Sequence, residues 1–220
     1  ELFKKVYMKK YRLLFCFLCL TKIINATRVN KDSIQAYFGN WSVTALAEGG
    51  RIDAIRQLDK EVVLCAARGP HKGKLFISYD KGINWTLLAQ PVTVDITCIA
   101  ETGNRNEFYI LTGTAEVWGT MDGGKTWSHL KTLLPYNRNR QKYAASYAIM
   151  YTQQGSLLVT DTDSDGGHVY RSVDKGKTWQ DLGAVSHNAL YRLEKVGNGI
   201  IVNGSHGAVY KSIDDGITWN

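Results

Sequence analysis

The chain shows no sustained helical periodicity, no Cys/His spacing of a zinc site, no Ser, His and Asp in triad order, no glycine-rich phosphate loop and no cofactor fingerprint. Helical solenoids, zinc modules, triad hydrolases and nucleotide-dependent enzymes are thereby set aside. Long apolar runs are also missing, since the longest, Leu13 to Leu20, is too short to span a bilayer. A strongly basic domain is absent too, although the formal net charge is +7. Residues 1–26 hold six Lys/Arg (Lys4, Lys5, Lys9, Lys10, Arg12, Lys22) and one acid, Glu1, so +5 of that charge lies there and +2 in the rest. A remainder so close to neutral gives no reason to invoke nucleic acid or an anionic membrane. Cysteine is scarce: Cys16 and Cys19 lie in the N-terminal segment, leaving Cys65 and Cys98, each in an apolar strand-like run. A disulfide between these two is chemically permitted, and two buried thiols are the commoner outcome for such runs.

What is present is one eight-residue phrase written four times: Ser78-Tyr-Asp80-Lys-Gly82-Ile-Asn84-Trp85, Thr120-Met-Asp122-Gly-Gly124-Lys-Thr126-Trp127, Ser172-Val-Asp174-Lys-Gly176-Lys-Thr178-Trp179 and Ser212-Ile-Asp214-Asp-Gly216-Ile-Thr218-Trp219. Each reads as a hairpin turn. The hydroxyl and carboxylate accept backbone N–H bonds, the glycine takes positive φ, and the Trp packs as the next strand begins. The Asp-to-Asp spacings of 42, 52 and 40 residues match a four-stranded propeller blade rather than a helical solenoid. Short β-branched and aromatic runs fill the intervals: 55–58, 62–67 and 74–78 in the first repeat, 146–152, 155–160 and 168–172 in the third, 190–193, 199–202 and 208–212 in the last.

The phrase resembles the Asp-box, or bacterial neuraminidase repeat, of sialidases, xyloglucanases, sortilin-type receptors and photosystem II assembly factors. The pattern S/T-x-D-x-G-x-x-W holds in all four copies, with Asn84 once replacing Thr, and the resemblance runs from about residue 51 to residue 220. It implies an all-β fold, a β-propeller of four-stranded antiparallel blades at about 51–92, 93–135, 144–186 and 187–220, with about four blades present as part of a larger propeller. It also implies that the boxes sit at the turn between third and fourth strands, away from the ligand face. Ser78, Asp80, Gly82, Trp85, Thr120, Asp122, Gly124, Trp127, Ser172, Asp174, Gly176, Trp179, Ser212, Asp214, Gly216 and Trp219 are then structural rather than catalytic.

Before the repeats, Lys9, Lys10 and Arg12 precede the apolar run, and Ile24-Asn25-Ala26 follows it, in the order of a signal peptide over 8–26. An uncleaved anchor is the alternative reading. Residues 1–7 read as translated upstream sequence, and 27–50 as a lead-in whose segment Asn40 to Leu46 could close a ring as an outer strand. The bulky residues before Cys16 and Cys19 do not fit a lipid-attachment pattern. These readings place the protein outside the cytoplasm, as a secreted, periplasmic or cell-surface protein with no membrane contact beyond the signal peptide. Of the sequons, Asn84-Trp-Thr86 is a poor glycosylation acceptor because its Trp is expected to be buried.

In propeller topology the loops between strands two and three, and from strand four to the next strand one, share the face opposite the boxes. Candidate ligand-binding residues on that face are Arg51, Arg68, His71, Tyr136, Arg138, Arg140, His187 and His206. The insertion from Pro135 to Tyr143 explains the long interval of 52 residues; its arginines suit carboxylates and its tyrosines suit sugar faces, while a mobile basic loop is the plainer alternative. Asp161, Asp163 and Asp165 before Gly166 open like a calcium loop, but Ser172 stands where an EF-hand needs Glu, so a solvated acidic turn and a calcium-stabilised hairpin both stay open; calcium is the one cofactor considered. Arg51-Ile52-Asp53 is similar to the Arg-Ile-Pro motif of sialidases, with Asp53 where Pro is expected; the resemblance would put Arg51 on a substrate carboxylate, and Arg51 and Asp53 are the catalytic candidates. The stretch from Cys65 to Ser78, where the resemblance implies an acid/base Asp, contains none. The expected function is recognition of an extracellular ligand, a glycan first. A sialidase-like or other glycoside hydrolase, and a protein-binding scaffold of the sortilin or assembly-factor type, are the alternatives.

Overall fold

A computed structural model describes residues 51–69, 72–133, 148–162 and 166–220. Residues Ile52–Asn220 form one compact unit; of the other, Glu1–Arg51, only Arg51 is among the described residues. The strands are β1 (Arg51–Gln57), β2 (Val63–Gly69), β3 (Lys72–Ser78), β4 (Thr86–Leu88), β5 (Ile96–Asn104), β6 (Glu107–Thr112), β7 (Glu116–Thr120), β8 (Ser128–Thr132), β9 (Ile149–Tyr151), β10 (Leu157–Thr162), β11 (Gly167–Ser172), β12 (Gln180–Ser186), β13 (Leu190–Val196), β14 (Gly199–Gly204) and β15 (Val209–Ser212). They pair in chain order into sheets β1–β4, β5–β8, β9–β12 and β13–β15, hereafter blades one to four. Past Trp219, Asn220 continues the ladder of blade four, exchanging backbone bonds with Lys211 at 2.8 and 3.0 Å.

Blades two and three have a core on each face, so their central strands β6 and β10 are buried at successive rather than alternate residues. Along β6, Phe108 and Ile110 point into a core shared with Leu64, Leu75 and Ile77 of blade one. Tyr109 and Leu111 point the other way, into a core with Leu157, Val159 and Tyr170 of blade three. A third core joins Leu158 and Val169 to Leu193, Ile200 and Val202 of blade four.

The repeated octapeptide closes on itself in the same way each time. Ser172 Oγ accepts the Gly176 N–H at 2.8 Å and donates to Asp174 at 2.8 Å, while Asp174 accepts the Thr178 N–H at 2.8 Å and its hydroxyl at 2.6 Å. Thr120/Asp122/Thr126 and Ser212/Asp214/Thr218 repeat this; in the first copy the Asn84 amide replaces the hydroxyl, 2.6 Å from Asp80. The glycines Gly82, Gly124, Gly176 and Gly216 lie at φ between 81° and 88°. Three of them also touch the preceding blade: a Cβ would meet Leu88 at Gly124, Leu130 at Gly176 and Leu158 at Gly216, each at 2.7 Å. A side chain at these sites would be both left-handed and colliding.

The structure alters several local expectations. Strands β1, β2 and β10 reach further toward the loop end than the sequence runs suggest, taking Arg51, Asp53, Arg68 and Asp161 out of loops and into strands. The octapeptide Trp residues are half-buried, and Trp127, Trp179 and Trp219 lie over the rim of a core rather than inside it. Trp127 donates to Ala89 O of blade one at 3.1 Å; Trp179 and Trp219 donate to the glycine carbonyl three residues back. Asn84 is therefore constrained by its bond to Asp80, not by a buried Trp85. Cys65 and Cys98 are both free thiols, on β2 of blade one and β5 of blade two. Burial pushes the Cys65 thiol up to about 12.

Candidate functional site

In an antiparallel blade the octapeptide turn and the turn joining the first two strands share one end, and the turn joining the second and third strands lies at the other. At that second end of blade one, three charged side chains converge. Arg68, near the end of β2, sets its Nε 2.9 Å from Asp53 on β1 and 3.0 Å from Asp95, in the segment that links β4 to β5. Asp53 is nearly enclosed, with 11% of its side chain exposed, while Asp95 and Arg68 keep 30% and 41% open to solvent. One guanidinium thus ties the first blade to the start of the second and leaves hydrogen-bonding capacity facing outward.

The backbone fixes Asp95 in this place. Gly113 N–H bonds the Asp95 carbonyl at 2.7 Å, and Gln90 Nε2 bonds the carbonyls of Gly73 and Val92 at 2.6 and 2.8 Å. A Cβ at Gly73 would stand 2.5 Å from Asp95 Cα, so the linker lies flat against β3 only because that residue is glycine. No spacing rule marks Asp95; the cue in the sequence is the glycine facing it across a turn whose length cannot be inferred.

Blade three carries a second group at the same end. Asp161 is 2% exposed on β10, accepts the Thr162 N–H at 2.7 Å, and lies opposite His168 in the β10–β11 register. His168 Nδ1 is 3.3 Å from Asp181 on β12, with 13% of its side chain exposed. Gly166, at φ 133°, would put a Cβ 1.9 Å from Ser186 O, which makes the tight passage into β11 a glycine position. Neither His168 nor Asp181 was a candidate from sequence, because a histidine in an alternating strand carries no distinguishing mark.

The remaining sequence candidates divide in two. Arg51 begins β1; His187 is exposed after β12; His206, also exposed, sits at φ 56° in the turn Ser205–Gly207. His71, Tyr136, Arg138, Arg140, Asp163 and Asp165 lie outside the described residues. Among the described residues no group of three His, Cys, Asp or Glu side chains is arranged to hold a metal ion. A cavity of about 600 Å³ opens at the opposite, octapeptide end between blades two and three, bordered by Met121, Leu130 and the Glu107–Lys175 ion pair. Glu107 and Lys175 satisfy one another there and Lys177 is the one further charge on its lining, whereas three charged side chains converge at Arg68.

No protein-family model matches this chain, and no curated protein matches it in sequence. Solved structures do. A GH74 enzyme of Niastella koreensis superposes with a TM-score of 0.59 at 17% identity over 77% of this chain and 29% of that one. The chain folds as a β-propeller. YCF48 bound to D1 peptide superposes on the propeller with a TM-score of 0.56 at 19% identity, covering 80% of this chain and 55% of that one. The GH74 xyloglucanase from Xanthomonas campestris gives 0.54 at 19% identity over 70% of this chain and 26% of that one. The propeller therefore spans under a third of the two GH74 enzymes and just over half of YCF48. Identities this low carry the architecture and not the activity.

Proposed function

We propose that this chain is an exported Asp-box propeller, part of a larger one, that binds an extracellular glycan at the loop end of its blades. The observation that carries the reading is the Arg68 guanidinium held between Asp53 and Asp95 at 2.9 and 3.0 Å, part enclosed and part open. Vicinal sugar hydroxyls need acceptors and donors fixed side by side, and a carboxylate flanked by a guanidinium supplies both at one spot. Because Gly113, Gln90 and Gly73 anchor the linker bearing Asp95, little order has to be created on binding.

Binding without hydrolysis is favoured by the same geometry. Two carboxylates this close would suit a retaining glycosidase only if a glycosidic bond could lie between them, and the guanidinium occupies that space. A protein-binding scaffold is supported by the shared architecture with YCF48, of which the chain covers the larger share. Affinity electrophoresis through gels loaded with neutral and acidic polysaccharides tests the reading. Retardation by at least one polysaccharide, weakened roughly tenfold by Asp95→Asn or Arg68→Met, is expected. Migration unaffected by every polysaccharide would remove it, and a bound peptide in its place would favour the scaffold.

A further inference from the structure

In the third and fourth octapeptides the fourth position is where one blade grips the blade before it. Lys175 occupies it in the third copy, left-handed at φ 61°, with its ammonium 2.9 Å from Glu107 of blade two. Asp215 occupies it in the fourth copy, also at φ 61°, and its carboxylate takes the Arg171 guanidinium and the Ser156 hydroxyl of blade three, each at 2.5 Å. Arg171 Nε–H adds a bond to the Asp215 carbonyl at 3.0 Å. The second copy has Gly123 there and no side chain to offer.

Register defines the socket that receives this plug. It is formed by the residue just before the central strand segment and by the residue just before the octapeptide hydroxyl. These are Glu107 and Gly119 in blade two, where Phe108 pairs with Thr120 and Tyr109 with Gly119. They are Ser156 and Arg171 in blade three, where Leu157 pairs with Ser172 and Leu158 with Arg171. In blade four, Ile200 pairs with Ser212 and Ile201 with Lys211, so the same socket consists of Gly199 and Lys211. Lys211 lies across it, its Cε 3.3 Å from where a Gly199 Cβ would be.

The face around this socket is mixed: Arg192, Glu194, Asn203 and Lys211 are exposed there beside exposed Val209 and half-buried Ile201, where the corresponding face of blade two presents Ala100, Tyr109 and Leu111 to a core. Glu194 shares the Ile201 row but lies two strands from Lys211, which keeps the ammonium free for a partner in front of it. Ile201 and Val209 give a neighbouring blade apolar contact, and the charge at the socket adds the selection between neighbours.

We propose that the far face of blade four docks a further blade of this repeat whose octapeptide carries Asp or Glu at its fourth position, closing on Lys211 as Asp215 closes on Arg171. A second copy of this chain does not satisfy the socket through its first octapeptide, because Lys81 stands at the fourth position and would set ammonium against ammonium.

Appending a second copy of residues 181–220 after Asn220, which stands where Gln180 does in blade three, supplies the fourth strand of blade four and presents an Asp215 plug to Lys211, and Asp215→Lys in the appended copy reverses its charge. Amine labelling of Lys211 under native conditions, read by mass spectrometry, should fall at least roughly fivefold with the Asp plug and not with the Lys plug. Lys211→Glu combined with the Lys plug should restore the single cooperative melting transition of the Asp version. Equal labelling of Lys211 with either plug, protected or not, overturns the proposal. So does a dimer of the unextended chain, seen by sedimentation, that buries Lys211.

Discussion

Replacing Gly176 by alanine separates the two duties of the octapeptide glycine, turning the chain and touching the neighbouring blade. At φ 83° an alanine costs about 1–2 kcal/mol from backbone strain alone. Its Cβ would also stand 2.7 Å from Leu130 Cδ1 and 3.2 Å from Leu130 Cβ, on the last strand of blade two. The second distance cannot be relieved by rotating the end of the leucine, so the blades must part or Leu130 must move, an overpacking cost of about 1–3 kcal/mol. Gly176→Ala should therefore lose about 2–5 kcal/mol. Gly103 supplies the control, with φ 83° as well but nothing within 4 Å of its built Cβ. Gly103→Ala should show the backbone cost only. Urea unfolding followed by Trp fluorescence reads both, and Leu130→Ala in the Gly176→Ala background should recover part of the loss. Equal destabilisation of the two glycine variants would refute the contact between octapeptide and preceding blade.

Three further expectations follow from the described residues. The carboxyls of Asp122, Asp174 and Asp214 are held down to about 2, first by the Thr126, Thr178 and Thr218 hydroxyls and then by the backbone N–H groups of those residues. A group whose folded value is depressed stabilises above its unfolded value and loses that contribution as pH falls, so the melting temperature should drop between about pH 4 and pH 2, and Asp174→Asn should flatten the drop; a flat wild-type profile would contradict this. Cys65, buried with its thiol near 12, should resist iodoacetamide in the native state and react fully in urea, whereas rapid native labelling would place it at the surface. If Asp161 and the turn after it hold calcium, EDTA should lower the melting temperature measurably and added calcium should restore it; an unchanged temperature removes the ion from the account.

The architecture is legible in the sequence because it is periodic. Ser172, Asp174, Gly176 and Thr178 do their work within one turn, so their spacing alone encodes the bonds that the structure displays. The same holds for Gly216 and its left-handed φ, though not for its contact with Leu158, which depends on how blades stack. Stacking also hides the site. Arg68 meets Asp95 across 26 intervening residues, in a linker whose path is set by Gly73, and nothing in the local text of either residue announces the other. Asp53 and Asp161 look like loop residues since turns favour aspartate, yet ladder pairing extends β1 and β10 through them. Glu107–Lys175 and Arg171–Asp215 were invisible for the same reason, their signs being chosen blade against blade rather than by the repeat pattern.

The reading of the loop end as a glycan site is tested most directly by comparing polysaccharide binding of the wild-type chain, Asp95→Asn and Arg138→Ala with Arg140→Ala, alongside their melting temperatures. The account predicts that Asp95→Asn weakens binding roughly tenfold, that the double arginine variant loses acidic polysaccharides selectively, and that neither shifts melting by more than about 4 °C. Undiminished binding by Asp95→Asn at unchanged stability would contradict it.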